Sequence, residues 1–131
     1  MDEREHDLGT AELEVLRAVW DDQPATVRQV LNRLHDRGRN VAYTTVQTVL
    51  TRLEQKGVVA SDKRDTAYVY RAKLTRDSVG QSRLRALVDQ IYDGAAAPMV
   101  LQLIENEKFS AEELSRLRRL IDDLDPRTPG A

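Results

Sequence analysis

The chain predicts a mainly α fold: a winged helix-turn-helix domain, three helices plus a β-hairpin wing, followed by a three-helix dimerisation region. Three observations lead there. Residues 43–56 combine an apolar helical stripe with a crowd of small hydroxyl side chains. Gly57 stops that helix, and two strand-like runs follow on either side of the charged loop Asp62-Lys63-Arg64-Asp65-Thr66. Beyond Thr75 the sequence is helical again and rich in aliphatic residues.

Each element has its own signal. The first helix is expected from Ala11 to Asp21 with Thr10 as N-cap, because Leu13, Leu16 and Trp20 fall at helical spacing with Val19 at the edge. Gln23-Pro24 ends it. Thr26-Val27-Arg28-Gln29 fits a capping box that opens a second helix, whose apolar face is Val27, Val30, Leu31 and Leu34. Gly38 suits the left-handed position just past its end. Arg39 to Ala42 turns the chain and has room for a short strand. The third helix is expected from Tyr43 to Lys56, with Val46, Val49, Leu50 and Leu53 on its inner face. Val58–Ser61 and Ala67–Arg71 read as strands of a hairpin with residues 62–66 at its tip. In the second strand Tyr68 and Tyr70 share one face and read as packing residues.

Thr75 can cap a fourth helix reaching Tyr92, with Leu84, Leu87, Val88 and Ile91 on one stripe. Asp93-Gly94 breaks it. Ala95 to Asn106 is a short, very apolar helix. Ser110-Ala111-Glu112-Glu113 is another capping box, opening a last helix in which Leu114, Leu117, Ile121 and Leu124 repeat at 3-4-3 spacing, as along a coiled-coil seam. These helices carry more aliphatic surface than one subunit can hide, so they are expected to pack against a second copy through Leu84, Leu87, Val88, Ile91, Val100, Leu103, Ile104, Leu114, Leu117, Ile121 and Leu124.

Composition narrows the function. With 131 residues and no cysteine, the chain has no disulfide framework, thiolate metal site or cysteine nucleophile. The isolated His6 and His35 lie in no metal-ligand spacing, and no glycine-rich phosphate loop or hydrolase motif occurs, so neither a metal, a cofactor nor catalysis is expected. No apolar run approaches the ~20 residues that span a bilayer, and the acidic start is no secretory signal, which makes a cytoplasmic location the default expectation.

The net charge of −2 conceals an asymmetry: residues 1–22 carry −6, residues 23–76 carry +7 and residues 77–131 carry −3. The basic block coincides with the hydroxyl-rich helix and the hairpin, the footprint expected of a polyanion partner. Threonines weaken a helix, so an outer face holding Thr44, Thr45, Thr48 and Thr51 beside Gln47 and Arg52 points to a surface shaped for double-stranded DNA. Short polar side chains there can reach phosphates and base edges in the major groove. Thr44 and Thr45 suit phosphate or thymine-methyl contacts, Gln47 and Thr48 base edges, and Arg52 a phosphate or guanine. Arg28 and Arg39 flank the motif, and Lys63 and Arg64 at the hairpin tip suit the backbone or the minor groove. Arg33 and Arg37 are weaker candidates. The expected organisation is a DNA-binding domain over 1–74, a dimerisation domain over 75–125 and a disordered tail over 126–131.

These residues also carry a family resemblance. Leu13-Glu14-Val15-Leu16 through Val19-Trp20, the string Tyr43-Thr44-Thr45-Val46-Gln47-Thr48-Val49-Leu50-Thr51-Arg52-Leu53 with Lys56-Gly57, Tyr68-Val69-Tyr70, and Gly94 followed by Val100-Leu101 resemble the penicillinase-repressor family of BlaI/MecI type, over about residues 8–124. The resemblance implies a homodimeric repressor on a pseudo-palindromic operator, at promoters of β-lactamase or related antibiotic-response genes. It further implies relief of repression when a β-lactam-responsive sensor protease leads to cleavage at an Asn-Phe bond, which here corresponds to Gln102-Leu103. The copper-sensing branch uses carboxy-terminal cysteines that this chain lacks. Two other functions fit a winged helix: a protein-interaction module without DNA binding, for which the outer face of the third helix is too polar, and a regulator triggered by a small ligand, for which no pocket is evident in the sequence.

Overall fold

The computed structural model describes residues 8–127, so His6 and positions 128–131 of the expected tail lie outside the described residues. The chain divides into two compact units between Leu87 and Val88. The first contains α1 (Thr10–Asp21), β1 (Ala25–Thr26), α2 (Val27–Asp36), α3 (Tyr43–Gln55), β2 (Val59–Arg64), β3 (Ala67–Ala72) and most of α4 (Arg76–Ile91). The three strands form one antiparallel sheet in the order β1-β3-β2.

The three helices close on one core. Leu16, Val19, Val30, Leu50, Leu53 and Val58 are essentially inaccessible, and burying each such side chain stabilises the fold by about 1.5–3 kcal/mol. Leu74 and Val79 extend this core into the start of α4. Glu12 of α1 lies inside as well: its Oε1 accepts from the Gly9 amide at 3.1 Å and from Lys56 Nζ at 2.9 Å, joining the start of α1 to the end of α3. Gly9, not Thr10, is therefore the N-cap of α1. A glutamate at the third helical position reaches back to that amide, and Thr10 becomes the first helical residue.

The capping box at Thr26 and Gln29 forms as expected, and Gly38 takes φ +82° behind α2. The third strand is not in Arg39–Ala42. It is Ala25–Thr26, paired with Tyr70 and Val69, and Gln23 Oε1 extends that edge by accepting from the Ala72 amide at 2.6 Å. The hairpin is also tighter than expected. β2 runs to Arg64, which faces Ala67, so only Asp65 and Thr66 turn the chain, with Asp65 at φ 54°. Aspartate tolerates that left-handed conformation better than most side chains.

The second unit holds the end of α4, α5 (Ala96–Asn106) and α6 (Ala111–Leu124). Asp93 and Gly94 are both left-handed, and the Gly94 amide returns to the Val88 carbonyl at 3.1 Å, closing α4. Ser110 and Glu113 cap α6 reciprocally. No residue of α5 or α6 is buried. After α6, Arg127 folds back on Asp125 in a short charged turn.

Candidate nucleic-acid interface

The outward side of α3 is set by its inward side. With Val46, Val49, Leu50 and Leu53 in the core, Thr44, Thr45, Gln47, Thr48, Thr51 and Arg52 are all left exposed. Gln47 and Thr48 each lie three or four residues from both Thr44 and Thr51, so the four form a single stripe, and Thr45 and Arg52 border it. Thr48 Oγ1 donates to the Thr44 carbonyl and Thr51 Oγ1 to the Gln47 carbonyl, each at 2.9 Å. The hydroxyl protons are thus engaged within the helix, and what these two side chains offer outward is a methyl group and oxygen lone pairs. Such groups suit a thymine methyl or an amino hydrogen of adenine or cytosine.

Arg28 and Tyr43 bring α2 to the start of this stripe: the guanidinium lies 4.9 Å from the ring centroid. At the other end Ser61 of β2 donates to Glu54 of α3 at 2.7 Å. Strand alternation puts Lys63 on the same side as Ser61 and opposite Tyr68, whereas Arg64 points to the other face. Lys63 and Arg64 are therefore strand residues on opposite faces, not a paired cluster in a loop. The two tyrosines also part company. Tyr70 is buried, and burial, helped by Glu54, Tyr43 and Tyr68, holds its phenol above the ordinary 10.0. Tyr68, nearer the tip, is 55% exposed, because the core ends before it.

Ion pairing sorts the basic residues of the 23–76 block. Arg33 donates to the carbonyls of Ala18 and Asp22, Arg37 pairs with Asp21, Arg39 donates to Glu14 at 2.7 Å, and Lys56 pairs with Glu12. These four brace α1. Arg39 was expected to flank the interface and is instead drawn toward α1 while staying exposed. Arg52, Lys63, Arg64 and Arg71 make no ion pair among the described residues and keep their charge available. Arg71 is absent from the expected contact residues, and Tyr43 is expected there only as the start of the third helix and part of the family string. The charge block alone could have flagged Arg71, but Tyr43 matters through a neighbour 15 positions away that no local pattern reveals.

The expected dimer residues separate in the same way. Leu84, Leu87, Ile91, Val100, Leu103, Ile104, Ile121 and Leu124 are exposed, Leu114 and Leu117 half-buried, while Val88 is 2% exposed and closed to a partner. Leu120, outside the 3-4-3 seam, is exposed too. Gln102 and Leu103 lie inside regular helix α5, where Gln102 accepts from the Tyr92 hydroxyl at 2.5 Å and its carbonyl accepts from Asn106 Nδ2 at 2.8 Å. Among the described residues no helix is long and apolar enough to cross a membrane.

Three helices on one core, a two-stranded wing, and a polar stripe displayed on the third helix define a winged helix-turn-helix regulator. Residues 8–123 match the penicillinase repressor family, and the chain belongs to it. It is 26% identical to a penicillinase repressor of Bacillus licheniformis over 88% of this chain and 90% of that one. It is 22% identical to the methicillin resistance regulatory protein MecI of Staphylococcus aureus strain N315 over 93% and 98%. It is 35% identical to the transcriptional regulator BlaI of Mycobacterium tuberculosis over 90% and 85%. The three are named as a repressor, a regulatory protein and a transcriptional regulator.

Proposed function

We propose that this protein represses transcription from the cytoplasm by binding as a homodimer to a pseudo-palindromic operator in double-stranded DNA, at promoters of β-lactamase or related antibiotic-response genes. The stripe of α3 supports this most directly. It is exposed and polar along its length, and it lies within the basic 23–76 block. In this reading Thr44, Thr45, Gln47 and Thr48 enter the major groove, while Arg28, Arg52, Lys63, Arg64 and Arg71 hold phosphates. Residues 1–74 form the DNA-binding part, and residues 75–125 supply the dimer contacts through the aliphatic side chains of α4, α5 and α6. The names of the relatives support antibiotic resistance as the setting.

Release follows from the same arrangement. A cut at Gln102-Leu103 by a sensor-linked protease would split α5 and remove the tether between two winged domains, and with it the local concentration that lets two half-sites act together. A protease takes its substrate extended, so α5 must open first. Within one subunit nothing in the helix is buried, so what holds α5 closed in this reading is the partner copy.

The test is duplex binding followed by fluorescence anisotropy across a salt series, on sites found by footprinting. The logarithm of affinity should fall linearly with that of salt, by about 0.9 per phosphate neutralised. Arg52→Ala should weaken all sequences alike and flatten the slope by about 1. Gln47→Ala should leave the slope and cost about 1–3 kcal/mol of discrimination at one base pair. Retention indifferent to salt, or an unchanged base preference in Gln47→Ala, overturns this assignment.

A further inference from the structure

A groove of about 520 Å³ opens in the first unit beside α1, α2 and the turn that follows α2. Its size lies within the range of small-molecule sites, roughly 300–1,000 Å³. Leu13 and Leu34 give it an apolar floor, and three guanidinium groups, Arg17, Arg37 and Arg39, stand around it with the single carboxylate of Glu14. That carboxylate is occupied by Arg39. The carboxylate that holds Arg37, Asp21, is shared with Arg76, 3.6 Å from its other oxygen. Arg17 makes no ion pair among the described residues. The rim therefore has more positive charge than its own acids balance, above a floor that water solvates poorly.

We propose that this groove binds a small organic carboxylate with an apolar body. The body would rest on Leu13 and Leu34, and the carboxylate would accept from Arg17 and from Arg39, whose planar forks match carboxylate geometry. None of this face belongs to the α3 stripe. The floor distinguishes it from a phosphate contact, which needs no apolar surface.

The whole chain, labelled at leucine methyl groups and free of DNA, is titrated with 1-naphthoate while its NMR spectrum is recorded. Binding is measured without any duplex, so its outcome is independent of whether the protein reads an operator. The Leu13 and Leu34 methyl signals should shift saturably. The exposed substitution Arg17→Gln should weaken the affinity about tenfold, as expected for a charge-assisted pair. Arg52→Gln removes the same charge from another helix and should leave the affinity as it was. No saturable shift at millimolar naphthoate overturns the site. So does an equal response to neutral 1-naphthamide, or an Arg52→Gln loss equal to that of Arg17→Gln.

Discussion

The two units of this chain solve the same physical problem in opposite ways. In the winged unit nearly every large aliphatic residue at a helical inner position is buried, and Leu16, Leu50 and Leu53 are fully so. In α5 and α6 nothing is buried, and Leu124 is 82% exposed. Yet α6 of the second unit is as well capped as α2 of the first, with a complete box at Ser110 and Glu113 matching the one at Thr26 and Gln29. Local signals can start and stop a helix without giving it anything to pack against. A contiguous aliphatic surface of that kind is what a monomer rarely leaves open.

The sharpest way to break the contrast is to truncate one leucine in each unit. Leu50→Ala should cost about 2–5 kcal/mol in urea unfolding, because it empties a sealed site. Leu103→Ala, at a position 46% exposed, should cost far less in dilute solution and become costly only as protein concentration rises. A concentration-independent loss at Leu103 would show that α5 is stabilised within the chain itself.

A second experiment addresses function. Ile104→Glu places a charge on the aliphatic face of α5 and should convert dimers to monomers in sedimentation velocity. Operator affinity should fall about 100-fold or more as the two half-sites lose their tether. A dimer that survives the charge removes α5 from the proposed contact.

The smallest effect compares the caps. In α2 the reciprocal partner is Gln29, which does not ionise. In α6 it is Glu113, whose carboxyl is held below its ordinary 4.5 by the Ser110 backbone amide and then by the Ser110 hydroxyl. A lowered pKa means that the cap is complete above 4.5 and is lost as pH falls through the depressed value. The Ser110 amide signal should titrate below pH 4.5, while that of Thr26 stays constant. A parallel movement of both would point to general acid unfolding instead.

Most of the fold was legible in the sequence because its signals are periodic or chemical. The apolar stripe of α3, the two capping boxes and the glycines behind α2 and α3 each state a local rule that the tertiary structure keeps. What escaped was short or relational. Ala25–Thr26 is too brief to show a strand period, and it becomes a strand only because β3 lies beside it. The wing appeared to have a five-residue loop because Asp62 to Asp65 are all charged, whereas their backbone pairs out to Arg64. At the interface, exposure of the α3 stripe followed directly from its buried face. The fate of the basic residues did not, since only the fold shows that Arg39 finds Glu14 while Arg52 finds no carboxylate among the described residues.

The threonines of α3 carry one more consequence. Because Thr48 and Thr51 hydrogen-bond to carbonyls one turn back, their χ1 angles are biased toward the rotamer that makes the bond. A surface arranged in advance gives up little rotamer freedom when something settles on it. These side chains act like the cut teeth of a key: their profile is shaped before any lock is met, and recognition consists of fitting that profile, with little of it left to be formed on contact.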